Sequence, residues 1–132
     1  TQDEASFSGK HVNFERSWAW PKPIQKPHPP IVMGGAAGPK TAAHIAEFCD
    51  GWLPLGGTHD FSAGWKAISE ACANIERDPA SLQISMFYAG GFKPEMLAQD
   101  ADKGAIRAIL PLPSEGADKV LPMLDKYAKH LG

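Results

Sequence analysis

The residues best suited to chemistry form one turn of small side chains, made of Gly34, Gly35, Ala36, Ala37 and Gly38. The turn follows the apolar run 31–33 and precedes Pro39, whose missing N–H suits the first turn of a helix. A helix that begins after such a turn presents free backbone N–H groups and the positive end of its dipole to a phosphate. Without a ligand, the same residues form only a tight strand-to-helix turn, and the residues alone leave both interpretations open.

Two polar side chains are further candidates for this site. Lys40 lies in the first turn of the predicted helix, where its ammonium group would add a charge to the phosphate or else point to solvent. His59 follows the second predicted strand, where an imidazole would contact a bound ligand, transfer a proton, or help to cap the next helix. The sequence has no metal-ligand spacing and no nucleophile elbow, so it predicts no metal and identifies no catalytic residue.

Composition limits the class of protein. The chain has 132 residues, 43% of them hydrophobic, which suits one globular domain with its own core. A net charge of -2 gives no basic excess to drive binding to nucleic acid or to an anionic membrane. Cys49 and Cys72 fall on apolar helix faces and are expected to be reduced core thiols. We therefore expect a cytoplasmic protein. Because the chain lacks an initiator Met, we also expect a processed chain or a fragment.

Residues 1–30 are predicted to form an irregular, proline-rich arm. Residues 11–14 alternate polar with apolar side chains, as in a short edge strand or hairpin. Five prolines between residues 21 and 30 exclude a helix and favour extended chain. The arm is either a peptide for a proline-recognition domain or a rigid connector over the tryptophans. We favour the connector, because the arm leads directly into a core strand.

Residues 31–132 repeat a pattern of apolar strand, turn and helix four times, which predicts an α/β fold with a parallel sheet. Strands are expected at 31–33, 51–55, 82–89 and 105–110, and the first helix at about 40–48. The second helix is expected to begin at Thr58 or Asp60 and the last at Ser114. The apolar faces of the first, second and last helices are predicted from Ala42, Ile45, Ala46 and Cys49, from Trp65, Ile68, Cys72 and Ile75, and from Val120, Leu124, Tyr127, Ala128 and Leu131.

Three polar or aromatic residues outside the turn were assigned structural roles. Asp50 precedes its strand and is expected to form a turn at the opposite end of the sheet. Trp52 is expected in the core. Arg107 interrupts an apolar strand and is expected to pair with a carboxylate or to reach solvent.

Four strand-helix units can form either of two architectures. One is a small doubly wound sheet of unrelated function, and the other is half of a (βα)₈ barrel, which typically takes about 250 residues. A half-barrel would leave its outer strands unpaired, so it would associate with its missing half or with a second copy of itself.

Four motifs in this order resemble the luciferase-like monooxygenase family, which includes bacterial luciferase and deazaflavin-dependent oxidoreductases. They are residues 7–12 with 20–31, the strand and glycines at 31–38, Asp-Gly-Trp-Leu-Pro at 50–54, and Arg-Asp-Pro-Ala-Ser-Leu at 77–82. The resemblance covers the C-terminal half of the family's barrel. It implies a (βα)₈ barrel with FMN or the deazaflavin coenzyme F(420) in its mouth and the cofactor phosphate at residues 34–38.

The resemblance implies an oxidoreductase that transfers a hydride or activated oxygen between the cofactor and a small organic substrate. Gly35 and Ala36 stand where some FMN-binding members carry polar side chains, which favours the deazaflavin. The alternative is a catalytically incomplete half-barrel that self-associates, as a homodimer or with its missing half, or that only binds a phosphate-bearing ligand.

Overall fold

The computed structural model describes residues 2–130, which form two compact units that divide after Pro30. In the first unit, β1 (Glu4–Ser8) pairs with β2 (Asn13–Trp18) in an antiparallel hairpin. Phe7 and Phe14 stack across this hairpin with ring centroids 6.4 Å apart. The hairpin predicted around residues 11–14 is confirmed, and residues 19–30 contain neither helix nor strand and bend at several positions.

The second unit contains a four-stranded sheet in the order β3-β4-β5-β6, and every neighbouring pair is parallel. Its strands and helices, within residues 2–130, are β3 (Val32–Gly34), α1 (Pro39–Phe48), β4 (Gly51–Leu53), α2 (Phe61–Ala73), β5 (Gln83–Phe87), α3 (Pro94–Asp102), β6 (Ala105–Ile109) and α4 (Ala117–Ala128). The predicted α/β class and the four strand-helix units are confirmed. This arrangement is compatible with half of a (βα)₈ barrel.

Two hydrophobic clusters hold α1, α2 and α3 to the sheet. The first joins α1 and α2 to β4, whose Trp52 is fully buried and stacks on Phe61 with ring centroids 5.4 Å apart. The predicted core position of Trp52 and the four-residue stripe of α1 are confirmed. Cys49 and Cys72 are buried, unbonded thiols in this cluster, as predicted. Burial raises the pKa of both thiols, which keeps them protonated and unreactive.

The Arg-Asp-Pro segment forms hydrogen bonds to the end of α1 and within the 3₁₀ turn that precedes β5. Arg77 Nη1 donates to the Ala46 carbonyl oxygen at 2.8 Å, and so satisfies a carbonyl in the last turn of α1. Asp78 Oδ1 accepts from the backbone N–H of Ala80 at 2.9 Å and caps the 3₁₀ turn Pro79–Ser81. The segment therefore follows the end of α2 at Ala73 and leads the chain into β5.

The structure decides one open alternative in the predicted helices and corrects two details. Of the two predicted caps of α2, Asp60 is the one that forms, since its Oδ1 accepts from the Ala63 N–H at 3.0 Å. Ile75 lies beyond the end of α2 and is 52% exposed, because the helix ends before the apolar stripe returns to the core. The cap of α4 is Gly116, and Ser114 stays outside the helix.

The apolar face predicted for α4 is not buried in this chain. No residue within Ala117–Ala128 is buried, and Leu124 is 42% exposed. The physical reason is that α4 follows β6, which has a neighbouring strand on one side only within residues 2–130. Leu131, the last residue of the predicted stripe, lies outside the described residues.

Arg107 reaches solvent, which was one of its two predicted outcomes. It pairs in register with Ser85, and its Nη1 donates to the Ser85 Oγ at 3.3 Å. Within residues 2–130 it forms no ion pair with a carboxylate. No helix in that same range is both long and apolar enough to cross a membrane.

Candidate functional site

The turn after β3 is fixed to the neighbouring strand through Gly35. Its backbone N–H donates to the Leu53 carbonyl oxygen at 3.0 Å, and its own carbonyl accepts from Trp52 Nε1 at 2.8 Å. Gly35 has φ of +113°, a backbone conformation that side chains rarely tolerate. A glycine at this position therefore lets the chain leave the strand while both of its backbone groups remain bonded.

Beyond Gly35 the turn carries backbone N–H groups that no protein atom uses. The amides of Ala36, Ala37, Lys40 and Thr41 have no hydrogen-bond partner among residues 2–130. Gly38 is the extended N-cap of α1, it provides no side-chain cap, and Pro39 occupies the first helical position. Such an N-terminus combines open donors with the positive end of the helix dipole.

The space beside the glycines of this turn is open. A Cβ atom added to Gly35 or Gly38 would meet no other atom within 4 Å, and one on Gly34 would meet only the Leu53 carbonyl oxygen, at 3.9 Å. Ala37 packs partly against the first core cluster, whereas Ala36 and Gly38 are exposed. An oxyanion therefore has both donors and room at this turn, and its contacts would be with the backbone.

Lys40 and His59 differ in how firmly they are held. Lys40 is exposed and makes no ion pair or side-chain hydrogen bond in the described part of the chain. His59 is half-buried, and its Nδ1 accepts from the Leu55 N–H at 3.1 Å. Because a backbone N–H only donates, this bond places the proton of a neutral His59 ring on Nε2. His59 thus closes the loop after β4, while Asp60 beside it caps α2.

The turn and His59 lie at the same end of the sheet, beyond the carboxyl ends of its strands. The turn follows the carboxyl end of β3 and His59 follows that of β4, and these two strands are parallel neighbours. Asp50 lies at the opposite end of the sheet, before the amino end of β4. Its Oδ2 accepts from the Ile31 N–H at 2.7 Å, so its predicted structural role is confirmed. The roles predicted for residues 34–38, Lys40 and His59 in cofactor binding stay predictions.

A buried polar pair that the sequence did not reveal lies between β5 and α3. The Tyr88 hydroxyl donates to Asp100 Oδ2 at 2.6 Å, and Lys103 Nζ donates to Asp100 Oδ1 at 2.8 Å. Tyr88 is fully buried and Asp100 is 5% exposed. They border a cavity of about 170 Å³ between α3 and β6. The only available signal was the position of Asp100 one turn after the apolar Met96 and Leu97 of α3.

The buried Tyr88 hydroxyl is expected to make the free energy of unfolding depend on pH in the alkaline range. Burial, and then the hydrogen bond to Asp100, raise the pKa of Tyr88 above the ordinary value of about 10. Its contribution is therefore complete below pH ~10 and declines as the pH rises further, because only the unfolded tyrosine then loses its proton. We expect the free energy of unfolding to fall by up to about 1.4 kcal/mol per pH unit from this group.

Urea unfolding from about pH 9 to about pH 11.5 measures how steeply the free energy of unfolding falls with pH. Tyr88→Phe should flatten the slope relative to the unmodified chain. The buried thiols Cys49 and Cys72 act in the same direction in both proteins and cancel in the comparison. Equal slopes in the two proteins would show that Tyr88 does not carry this dependence.

No group of three His, Cys, Asp or Glu residues is arranged to hold a metal ion within the described range 2–130. The site therefore consists of backbone donors, one exposed ammonium group and one oriented imidazole. This arrangement can bind and orient an anionic ligand.

Comparison with known proteins gave two findings. Residues 1–90 match the family model described as luciferase-like monooxygenase. The chain is also similar to uncharacterized proteins of Mycobacterium bovis and Mycobacterium tuberculosis, each 31% identical over 131 residues. Each alignment covers 99% of this chain and 45% of the relative. The chain thus spans about half the length of the curated relatives that it matches.

Proposed function

Because the chain belongs to the luciferase-like monooxygenase family, we propose that it is the C-terminal half of a (βα)₈ barrel oxidoreductase that uses a flavin-type cofactor. The cofactor supplies the redox chemistry, a transfer of hydride or activated oxygen to or from a small organic substrate. The part of this chain is to bind and orient the cofactor at the carboxyl ends of its strands.

One observation supports this proposal above the others, namely the unpaired amides of Ala36, Ala37, Lys40 and Thr41 at the start of α1, next to glycines that have open space beside them. They fit a phosphate group, which both FMN and coenzyme F(420) carry. Gly34, Gly35 and Gly38 keep the backbone accessible, and the exposed Lys40 adds a charge. Since Gly35 and Ala36 offer no polar side chain, we propose coenzyme F(420) over FMN.

His59 has a narrower role in this proposal. Its Nδ1 is occupied by the Leu55 N–H, so only Nε2 is available to a ligand. In the neutral ring Nε2 carries the proton and would donate a hydrogen bond to the cofactor.

A second candidate function has its own support in the sheet. Within the described residues, β3 and β6 each have one edge without a neighbouring strand, and α4 has no buried residue. Unpaired parallel edges favour association. The chain would then be catalytically incomplete alone and would act with the missing N-terminal half, or as a homodimer.

Cofactor titration tests the proposal. The chain is titrated with coenzyme F(420), FMN and riboflavin, which lacks the phosphate, and binding is followed by fluorescence. We expect both phosphate-bearing ligands to bind and riboflavin to bind at least about 10-fold more weakly, a difference of about 1.4 kcal/mol. Ala36→Asp places a carboxylate at the free amides. It should weaken the binding of both phosphate-bearing ligands by a similar factor of about 10.

Ala43→Asp is the matched control, because it adds the same charge to an exposed position of α1 beyond its first turn. Equal weakening by the two variants would contradict a phosphate site at the turn. Absence of binding up to about 1 mM, an affinity of about -4.1 kcal/mol, would reject a self-sufficient cofactor site and favour the incomplete half-barrel.

A further inference from the structure

The proline-rich part of the first unit encloses a basic pocket that the function proposed above does not use. This pocket, which we name the arm pocket, has a volume of about 270 Å³ and is lined by Lys22, Pro23, Lys26, Pro27 and His28. We propose that the arm pocket binds an oxyanion, the phosphate or carboxylate group of a small molecule. The proposal involves none of residues 34–40 and does not depend on the identity of the cofactor.

The ammonium group of Lys22 is held in place without a counter-charge. Its Nζ donates to the Gln2 carbonyl oxygen at 2.5 Å and lies 5.7 Å from the ring centroid of Trp20. Neither Lys22 nor Lys26 forms an ion pair with a carboxylate within residues 2–130. A positioned ammonium without a carboxylate partner keeps its charge available to an anionic ligand.

His28 adds an oriented ring to the two ammonium groups. Its Nδ1 lies 2.9 Å from the Pro29 carbonyl oxygen. Because a carbonyl only accepts, Nδ1 carries a proton and Nε2 is the remaining polar atom. When the ring is protonated, Nε2 becomes a third donor beside Lys22 and Lys26.

The backbone of the arm pocket is restricted before any ligand arrives. Pro23 and Pro27 fix their own φ angles and restrict the residues that precede them. A pocket whose lining chain is already restricted loses less conformational entropy on binding. The two lysine side chains are therefore presented from a stiff segment.

Charge along the chain supports the same conclusion. The whole sequence has 15 acidic and 13 basic residues, yet no Asp or Glu occurs between Glu15 and Glu47. Of the four basic residues in this interval, Arg16 pairs with Glu4 at 3.3 Å and Lys40 lies in the second unit, which leaves Lys22 and Lys26 as its charges in the arm that are unpaired within the described residues. Positive charge is thus concentrated in the segment that contains the arm pocket, within a chain that is acidic as a whole. Such a local field attracts anions.

The test follows backbone amide resonances of the full chain by ¹H–¹⁵N NMR. The probes are inorganic phosphate and citrate at constant ionic strength. We expect saturable shifts at Gln25, Lys26 and His28 with at least one probe, and the probe that binds more tightly identifies phosphate or carboxylate as the preferred group. Shifts at Ala36 and Lys40 report the turn after β3 separately, so failure at one site is distinguishable from failure at the other.

Lys26→Gln is the main variant, because Lys26 makes no hydrogen bond or ion pair in the described residues. It should weaken binding in the arm pocket by about 10-fold, a change of about 1.4 kcal/mol. Lys22→Gln is a second variant, and Lys10→Gln removes an exposed lysine from the turn of the hairpin as the control. Absence of saturable shifts, or equal weakening by Lys10→Gln and Lys26→Gln, would overturn the proposal.

Discussion

Replacing Trp52 by alanine is expected to lower the free energy of unfolding by about 3–5 kcal/mol. Trp52 is fully buried and stacks on Phe61 of α2. Gly64 packs so closely that a Cβ there would lie 2.6 Å from Trp52 Cη2. Because α2 approaches the ring at a glycine, it has no side chain at that point with which to fill the cavity.

Urea unfolding followed by circular dichroism measures this loss. Trp18→Ala is the matched control, since Trp18 is 74% exposed in the hairpin and its removal should change the free energy of unfolding by no more than about 0.5 kcal/mol. Similar losses for the two variants would contradict the central position of Trp52 in the core.

Trp52 also connects the core to the candidate site. Its Nε1 donates to the Gly35 carbonyl at the turn that carries the free amides. Trp52→Phe retains most of the buried ring but removes this donor. We expect this variant to be less destabilised than Trp52→Ala.

Gly51→Ala is expected to lower the free energy of unfolding by about 1–3 kcal/mol, the usual cost of overpacking, with a value near the upper limit of that range. Gly51 lies in β4 opposite Gln83 of β5, and a Cβ there would overlap the Gln83 carbonyl oxygen. The obstacle is backbone, so it cannot be relieved by a rotamer change. The two strands would have to separate at this pair.

Thermal unfolding compares this variant with Gly90→Ala. Gly90 is exposed, and a Cβ there would meet no other atom within 4 Å, so this control should retain nearly the full midpoint temperature. An unchanged midpoint for Gly51→Ala would show that the spacing between β4 and β5 is not limiting.

The elements of the chain follow from local sequence. Pro39 after the glycines and the apolar spacing of Ala42, Ile45 and Ala46 were sufficient to predict the turn and α1. The Arg-Asp-Pro stop predicted that α2 ends before β5, but the helix ends earlier, at Ala73. Their physical causes are restricted backbone angles and one-sided burial, which act over a few residues. The family could also be identified from motifs in order along the chain.

Contacts between distant residues could not be predicted in this way. The hydrogen bond from Tyr88 to Asp100 joins residues on different elements, and neither side chain carries a local signal for the other. The exposure of Leu124 is a further example, because a periodic apolar stripe states which face a helix would bury but not whether a partner is present. Sequence pattern alone therefore overestimated the burial of α4.

The sequence by itself determined the strands, the helices, their order and the small-residue turn, because propensity, capping and periodicity depend on near neighbours in the chain. Only the tertiary structure decided that the turn is tied to Trp52 and Leu53 while its next amides remain free. It also decided that Asp50 and His59 lie at opposite ends of the sheet in fixed hydrogen bonds. Those outcomes depend on which strands become neighbours, and that is fixed only when the whole sheet assembles.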